Sequence, residues 1–339
     1  MKKAVSYKIT YLNFLLSCMI VGLHGISTMF VESYSSSAVS SVSKYFETLF
    51  DGATGTFFML SAFLLYSSNG GGKRSYPDLV KKRIGSLLIP YVIYNSIALG
   101  YSMFYDFVKY RNAHELVDKI SFKSLFSAII LKEYNPPMWF IPVLFCFVLL
   151  YPIIYKVAQN SKVAVTLAVG ILIINILIGV DVGYSTVRYW LPIYLLGAVF
   201  GLHLGNIVLG QNRVFKSQWV YYVVWLILLV LPIFANYSAE MYYIYRHLYP
   251  VCIFLCIDCV IPSKKPNWIF GCSLFIFGMH IITIGPVAKI YMKLFGDNFI
   301  SGIMSNIALP IMNVMVILGI AFVIRKYMPG IWKIAVGGR

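Results

Sequence analysis

Two histidines carry the first chemical signal in this sequence. His24 stands near the far end of YLNFLLSCMIVGLHGISTMF, residues 11–30, and His280 in the middle of CSLFIFGMHIITIGP, residues 272–286. Both stretches are apolar and uncharged. Imidazole exchanges its proton closest to neutral pH, which suits it to general-base work. An ionisable side chain at membrane depth is costly, so one placed there faces other protein or a water-filled cavity. At about 100° per residue, Asn13, Ser17, His24, Ser27 and Thr28 share one face of the first stretch, and leucines cover much of the rest. Ser273, Phe277 and His280 share a face of the second. An anchor facing lipid has no use for such a stripe. The pattern points to proton-transfer chemistry inside a helical membrane protein, with Ser27 and Thr28 placed to orient the His24 ring.

A second signal is basic. Lys81, Lys82 and Arg83 open the apolar stretch LVKKRIGSLLIPYVIYN, residues 79–95. A guanidinium matches phosphate in a bidentate fashion, so Arg83 is the preferred phosphate ligand of the three, and the lysines also suit a cytoplasmic anchor. Arg83, Tyr94 and Tyr101 share a face, and Pro90 is expected to kink the helix. Farther up the chain, Thr54 and Ser61 share a face, as do Gly55 and Ala62, small residues whose spacing lets helices approach closely. Trp139 reads as an interfacial belt residue. His203 lies near a helix end, and His114 and His247 lie in or beside outer loops. The six cysteines all fall in apolar runs and read as packing residues. Cys252, Cys256 and Cys259 share a helical face beside Asp258, yet no metal site is expected. There is no P-loop, no GxGxxG after a strand, no HExxH and no GxSxG.

These residues must be held by elements that cross a bilayer. Of 339 residues, 60% are hydrophobic and 12% charged, and mean hydropathy is +0.78; soluble domains carry about twice that charge. The fold class is therefore all-α and polytopic. Ten apolar segments stand near 11–30, 48–67, 84–107, 138–155, 163–180, 189–204, 219–235, 248–262, 269–290 and 303–324. The segment 122–131 is too short to span and is placed at the interface. The first run is long for a signal peptide and lacks a small-x-small cleavage site, so it reads as a retained helix. Net charge is +16. In a soluble protein that would suggest nucleic acid. Here the charge sits in short loops, where it sets orientation and meets lipid head groups, and no nucleic acid is expected. With the N-terminus inside, the cytoplasmic segments hold 18 of the 28 Lys and Arg residues, which puts both termini in the cytoplasm. Asp258 is read as the only acidic residue inside a span core. An extracytoplasmic loop at about 108–137 carries His114, Glu115, Asp118 and Glu133, and loops of that length are usually functional. There is no internal repeat.

Taken in order, the first helix ending in His24, GTFFMLSAFLL, KKRIGSLLIPY, MWFIPVLFCFVLLYPIIY, YLLGAVFGL and LFIFGMH resemble the membrane-bound acyltransferase family 3. Its members are bacterial proteins that O-acylate glycans, usually by acetylation. The resemblance covers nearly the whole chain and implies one transmembrane acyltransferase domain over residues 1–339. Three positions depart from the family pattern. Asn13 stands where a basic residue is common, eleven positions before the histidine. Ala62 replaces the glycine of the FFxxSGF element, and Ser86 replaces the second arginine of an RxxR that begins at Arg83.

The resemblance implies a multi-pass protein of the bacterial cytoplasmic (inner) membrane. It would move an acyl group, most often acetyl, from acetyl-CoA or another acyl-CoA to a hydroxyl of a cell-surface or lipid-linked glycan such as exopolysaccharide, capsule or O-antigen. Acyl-CoA is then a co-substrate, and no cofactor is tightly bound. In this setting His24 is the expected base with His280 beside it, and Arg83, Lys81 and Lys82 hold the donor. Ser61, Ser27, Thr28, Trp139 and Asn13 are acceptor or oxyanion candidates. His24 lies roughly 20 Å from the cytoplasmic edge of its helix, a distance that an extended pantetheine arm anchored near Arg83 can largely cover. The alternative is a transporter or flippase for a glycan precursor. That class needs paired discontinuous helices and buried acidic coupling sites, and a single acidic residue in a span core favours the enzyme.

Overall fold

Apolar segments in lipid must satisfy their backbone internally, and helices do so within one segment. The computed structural model describes residues 3–25, 37–69, 75–110, 121–131, 133–180, 183–205 and 215–338, and each of the ten expected segments is helical there. The elements are α1 (Lys3–Gly25), α2 (Ser37–Asn69), α3 (Tyr76–Arg83), a π-helical turn (Ile84–Leu88) and α4 (Ile89–Tyr110). Next come α5 (Phe122–Phe126) with a π-helical turn (Ser127–Leu131), a 3-10 turn (Pro136–Trp139), α6 (Phe140–Leu149), α7 (Tyr151–Ala158) and α8 (Ser161–Ile178). The rest are α9 (Val187–His203), α10 (Gln218–Ala235), α11 (Ala239–Val260), a 3-10 turn (Trp268–Cys272), α12 (Ser273–Phe295), α13 (Phe299–Tyr327) and α14 (Pro329–Ala335). No strand occurs among the described residues.

Seven helical runs are long and apolar enough to cross a membrane among the described residues, or eight if α6 and α7 form one broken span. The remaining two expected spans coincide with α9, which has 17 residues, and α11, which carries Glu240 and Arg246 and is rich in tyrosine. They are helical as expected, but one is shorter and the other more polar than the rest. Proline explains two irregularities. Pro152 near the start of α7 has no N–H for the carbonyl four residues back, and the chain bends by 66° between α6 and α7. Pro90 does the same to the carbonyl of Ser86, and the helix widens into the π turn just before it.

Burial ranks the helices. The apolar window of α2 is 72% buried, against 17% for α8 and 22% for α10. So α2 runs through the interior while α8 and α10 present most of their surface to lipid. Between helices in lipid, association rests on close packing rather than on hydrophobicity. Two glycines of α9 supply it. A Cβ on Gly197 would overlap the carbonyl oxygen of Met59, and one on Gly201 that of Phe63. Gly55 of α2 meets the Arg246 carbonyl of α11 in the same way. Gly197→Val should therefore destabilise the detergent-solubilised protein by about 1–3 kcal/mol or more. Gly319→Val, where nothing lies within 4 Å of the added Cβ, is the control. Equal thermal unfolding midpoints for the two variants would refute the close-packing account.

Candidate active site

His24, one residue from the end of α1, and His280 of α12 come together with ring centroids 5.2 Å apart. Their surroundings differ. His24 is exposed and lines a cavity of about 70 Å³ with Thr54, Phe57, Trp139, Phe140, Tyr184 and Phe277 among its walls. His280 is fully buried. Its Nδ1 lies 2.7 Å from the Phe277 carbonyl oxygen. A carbonyl can only accept, so Nδ1 carries the proton and Nε2 is an acceptor. That Nε2 is buried without a hydrogen-bond partner. An acceptor left open costs roughly 1–3 kcal/mol, a cost expected at a functional site rather than in a packing core.

The turn of α12 around His280 is pinned from two sides. Asn313 of α13 donates to the His280 carbonyl at 3.2 Å, and Thr283 donates to Asn313 Oδ1 at 2.6 Å. Asn135 donates to the Gly278 carbonyl at 3.2 Å. This last bond ties α12 to the Pro136–Pro137 turn that delivers Trp139, where two fixed proline φ angles set the approach. Tyr94 lies against Gly278, where a Cβ would strike its ring, and donates to the Ala335 carbonyl at 2.8 Å. Its role is packing.

A second narrow cavity, of about 90 Å³, adjoins the first. It is lined by Asn13, Ser17, Ser61, Ser86 and Ser273 among apolar residues, and it shares Phe57, Phe140 and Phe277 with the His24 cavity. Ser17 donates to the Asn13 carbonyl at 2.9 Å and to the Ser273 carbonyl at 3.1 Å, joining α1 to α12 along its wall. The buried Ser86 hydroxyl has no partner. Ser86 sits in the π turn that follows α3, whose last residues are the exposed Lys81 and Lys82 and the half-buried Arg83. Ser75 caps the start of α3 by accepting from the Asp78 amide, with Pro77 in its first turn. Asn13 and His24 are eleven residues apart on α1, roughly 16 Å. Two adjoining narrow cavities, together a passage, therefore run from the π turn after α3 to His24.

The expected site residues thus divide into groups. His24 and Trp139 line one cavity, so Trp139 is more than an interfacial belt residue, and the buried His280 ring lies beside His24 outside that cavity. Asn13 and Ser61 line the passage, Ser61 seven residues along α2 from Thr54. Ser27 and Thr28 lie outside the described residues, as do His114, Glu115 and Asp118. Among the described residues no group of three His, Cys, Asp or Glu side chains is placed to hold a metal.

Sequence reasoning missed the other wall. Asp51 is buried in α2, so Asp258 is not the only acidic residue inside a span core. Asp51 accepts from Arg246 Nε at 2.6 Å, Tyr184 at 3.1 Å and Thr54 at 3.2 Å. Arg246 also donates to the Tyr189 hydroxyl at 2.9 Å, and its guanidinium lies 4.3 Å and 4.2 Å from the Tyr184 and Tyr242 ring centres. Held in this way, Asp51 is part of a fixed ion pair, unlike the exchangeable carboxylate a coupled transporter needs. His247, expected beside a loop, is buried in α11 with its ring nitrogens 2.8 Å and 3.1 Å from the Tyr243 and Tyr189 carbonyl oxygens. Its single N–H can serve one of the two, so the ring packs between α11 and α9, whereas His203 ties α9 to α7 by donating to the Ala158 carbonyl at 2.8 Å.

The chain matches no curated protein and no solved structure. The family described as an acyltransferase domain matches residues 6–325. That stretch runs from α1 to the last turn of α13 and takes in both histidines, the narrow passage and the basic end of α3. On that match the chain belongs to the membrane-bound acyltransferase family 3, as a multi-pass membrane acyltransferase.

Proposed function

We propose that the protein transfers an acetyl group from acetyl-CoA to a hydroxyl of a cell-surface or lipid-linked glycan, in the cytoplasmic membrane of a bacterium. The observation that carries this is the pair of narrow cavities that meet at Phe57, Phe140 and Phe277 and run from Ser86, three residues after Arg83, to His24. Their volumes, about 90 and 70 Å³, suit a linear chain rather than a ring. Arg83, Lys81 and Lys82 take the CoA phosphates at the cytoplasmic end. The pantetheine arm lies along Asn13, Ser17, Ser61 and Ser86, and the thioester reaches His24.

The chemistry is then general base catalysis. His24 takes the proton of the acceptor hydroxyl as that oxygen attacks the thioester carbonyl carbon. The Trp139 indole N–H stabilises the oxyanion that forms. The C–S bond breaks, and the departing CoA sulfur takes the proton back from His24, which restores the neutral base. His280 acts through His24 as a positioning residue.

The test is donor binding. A hydrogen bond to a charged group contributes about 1.5–3 kcal/mol, so Arg83→Ala should weaken acetyl-CoA binding to the purified protein roughly tenfold or more. Lys73→Ala, a change ten residues earlier in the same basic stretch of sequence, should weaken it less. Acetyl-CoA bound as tightly by Arg83→Ala as by the parent, measured by calorimetry, would move the donor site elsewhere.

A further inference from the structure

We infer that the wide cavity beyond the Asp51–Arg246 pair is the acceptor site, and that it takes a hydroxyl-bearing saccharide ring. This rests on the acyl transfer proposed above and adds where the acceptor binds and what selects it. Three cavities follow one another along α2. Ser61 and Phe57 line the passage, Phe57 and Thr54 the His24 cavity, and Lys44 the third. The third cavity measures about 340 Å³, within the range of roughly 300–1,000 Å³ that holds small-molecule ligands. The passage is about a quarter of that size. A ring fits only the third, and it enters from the end opposite the donor.

The walls have the chemistry of a site for hydroxyl oxygens. Arg246 stands in the cavity with Tyr189, Tyr242 and Asn236. A guanidinium has five N–H donors in fixed directions. The bonds to Asp51 and Tyr189 use two, leaving three for a ligand among the described residues. The Tyr184 and Tyr242 rings and the Asp51 carboxylate hold it in place, so it can donate without first being ordered. Asp51 neutralises Arg246 through their ion pair, and Lys44 stands exposed at the cavity wall. The cavity therefore offers donors and tyrosine faces around a paired guanidinium, which suits the hydroxyls of a saccharide ring. Tyr184 closes the geometry. It stacks on Arg246 and also lines the His24 cavity. A ring held against Arg246 can pass one hydroxyl beside Tyr184 to His24.

The experiment separates the two substrates. The intact protein in nanodiscs is given radiolabelled acetyl-CoA and, as probe, alkali-deacetylated glycan prepared from cells that express it. Ala239→Trp fills the cavity without touching the ion pair. It should raise KM for the glycan at least tenfold while acetyl-CoA binding stays within twofold of the parent. Lys44→Ala, an exposed change, should raise the same KM less and serves as the deciding variant if Ala239→Trp loses acetyl-CoA binding. Unchanged glycan KM in a variant that binds acetyl-CoA overturns the acceptor cavity and leaves the proposed function standing. A parent that binds acetyl-CoA and acylates no glycan overturns both.

Discussion

His24→Ala should insert, fold and bind acetyl-CoA like the parent, yet transfer acetyl groups about 10²–10⁴-fold more slowly, the range expected for loss of a general base. Several observations set the size of the effect on this residue rather than on its neighbour. His24 is exposed in a cavity that adjoins the narrow passage, whereas His280 is completely buried. His280 is also committed through Nδ1 to the Phe277 carbonyl. His280→Ala should therefore cost less, about tenfold, and should leave KM for acetyl-CoA near the parent value. The two losses should not multiply in the double variant, because without His24 there is no base left to position. Transfer of labelled acetate to the glycan at matched protein levels measures both. Normal transfer by His24→Ala would return that residue to a structural role. A His280→Ala loss larger than that of His24→Ala would reverse the assignment of base and positioning residue.

The second large effect concerns stability. Asp51→Ala should destabilise the protein by about 1–3 kcal/mol, because the buried hydroxyls it accepts from are left unsatisfied, while Arg246, partly exposed in the wide cavity, loses its counter-charge. Arg246 would lose its Nε acceptor, and the Tyr184 and Thr54 hydroxyls would lose theirs at the same time. Asp51→Leu combined with Arg246→Met should recover much of the loss, since a well-packed apolar pair removes both charges together. Activity should not recover with it, because Thr54 and Tyr184 line the His24 cavity and would lose the carboxylate they hold. Thermal unfolding in detergent, followed beside acetyl transfer, tests both statements. An Asp51→Ala protein with the parent's unfolding midpoint would mean that the hydrogen bonds of the Asp51 carboxylate do not hold this wall together.

The helices were legible in the sequence because lipid imposes a local rule. A segment that crosses a bilayer must be long, apolar and internally hydrogen-bonded, and each condition is written in consecutive residues. All ten expected segments are helical, and the disturbance before Pro90 falls where the missing N–H puts it. The stripe of Asn13, Ser17 and His24 was visible for the same reason, since helical periodicity alone brings them to one face. Asn13 and Ser17 do line the passage whose inner end adjoins the His24 cavity.

What joins different helices was not legible. Asp51 finds Arg246 at a separation of 195 residues and Tyr184 at 133, and no local pattern links such positions. Nothing in a tryptophan distinguishes one at a membrane surface from one in a cavity wall, because both places want an apolar face and a donor edge. The Pro136–Pro137 turn and its tie to Gly278 decide it for Trp139. Phe57, Phe140 and Phe277 read as ordinary core residues of three separate helices, and only their convergence makes a junction between two cavities. The sequence alone therefore determined which stretches are apolar helices and which polar side chains share a helical face. Tertiary packing determined which of those side chains share a cavity, because that depends on how closely the glycines of α9 and α2 let the helices approach.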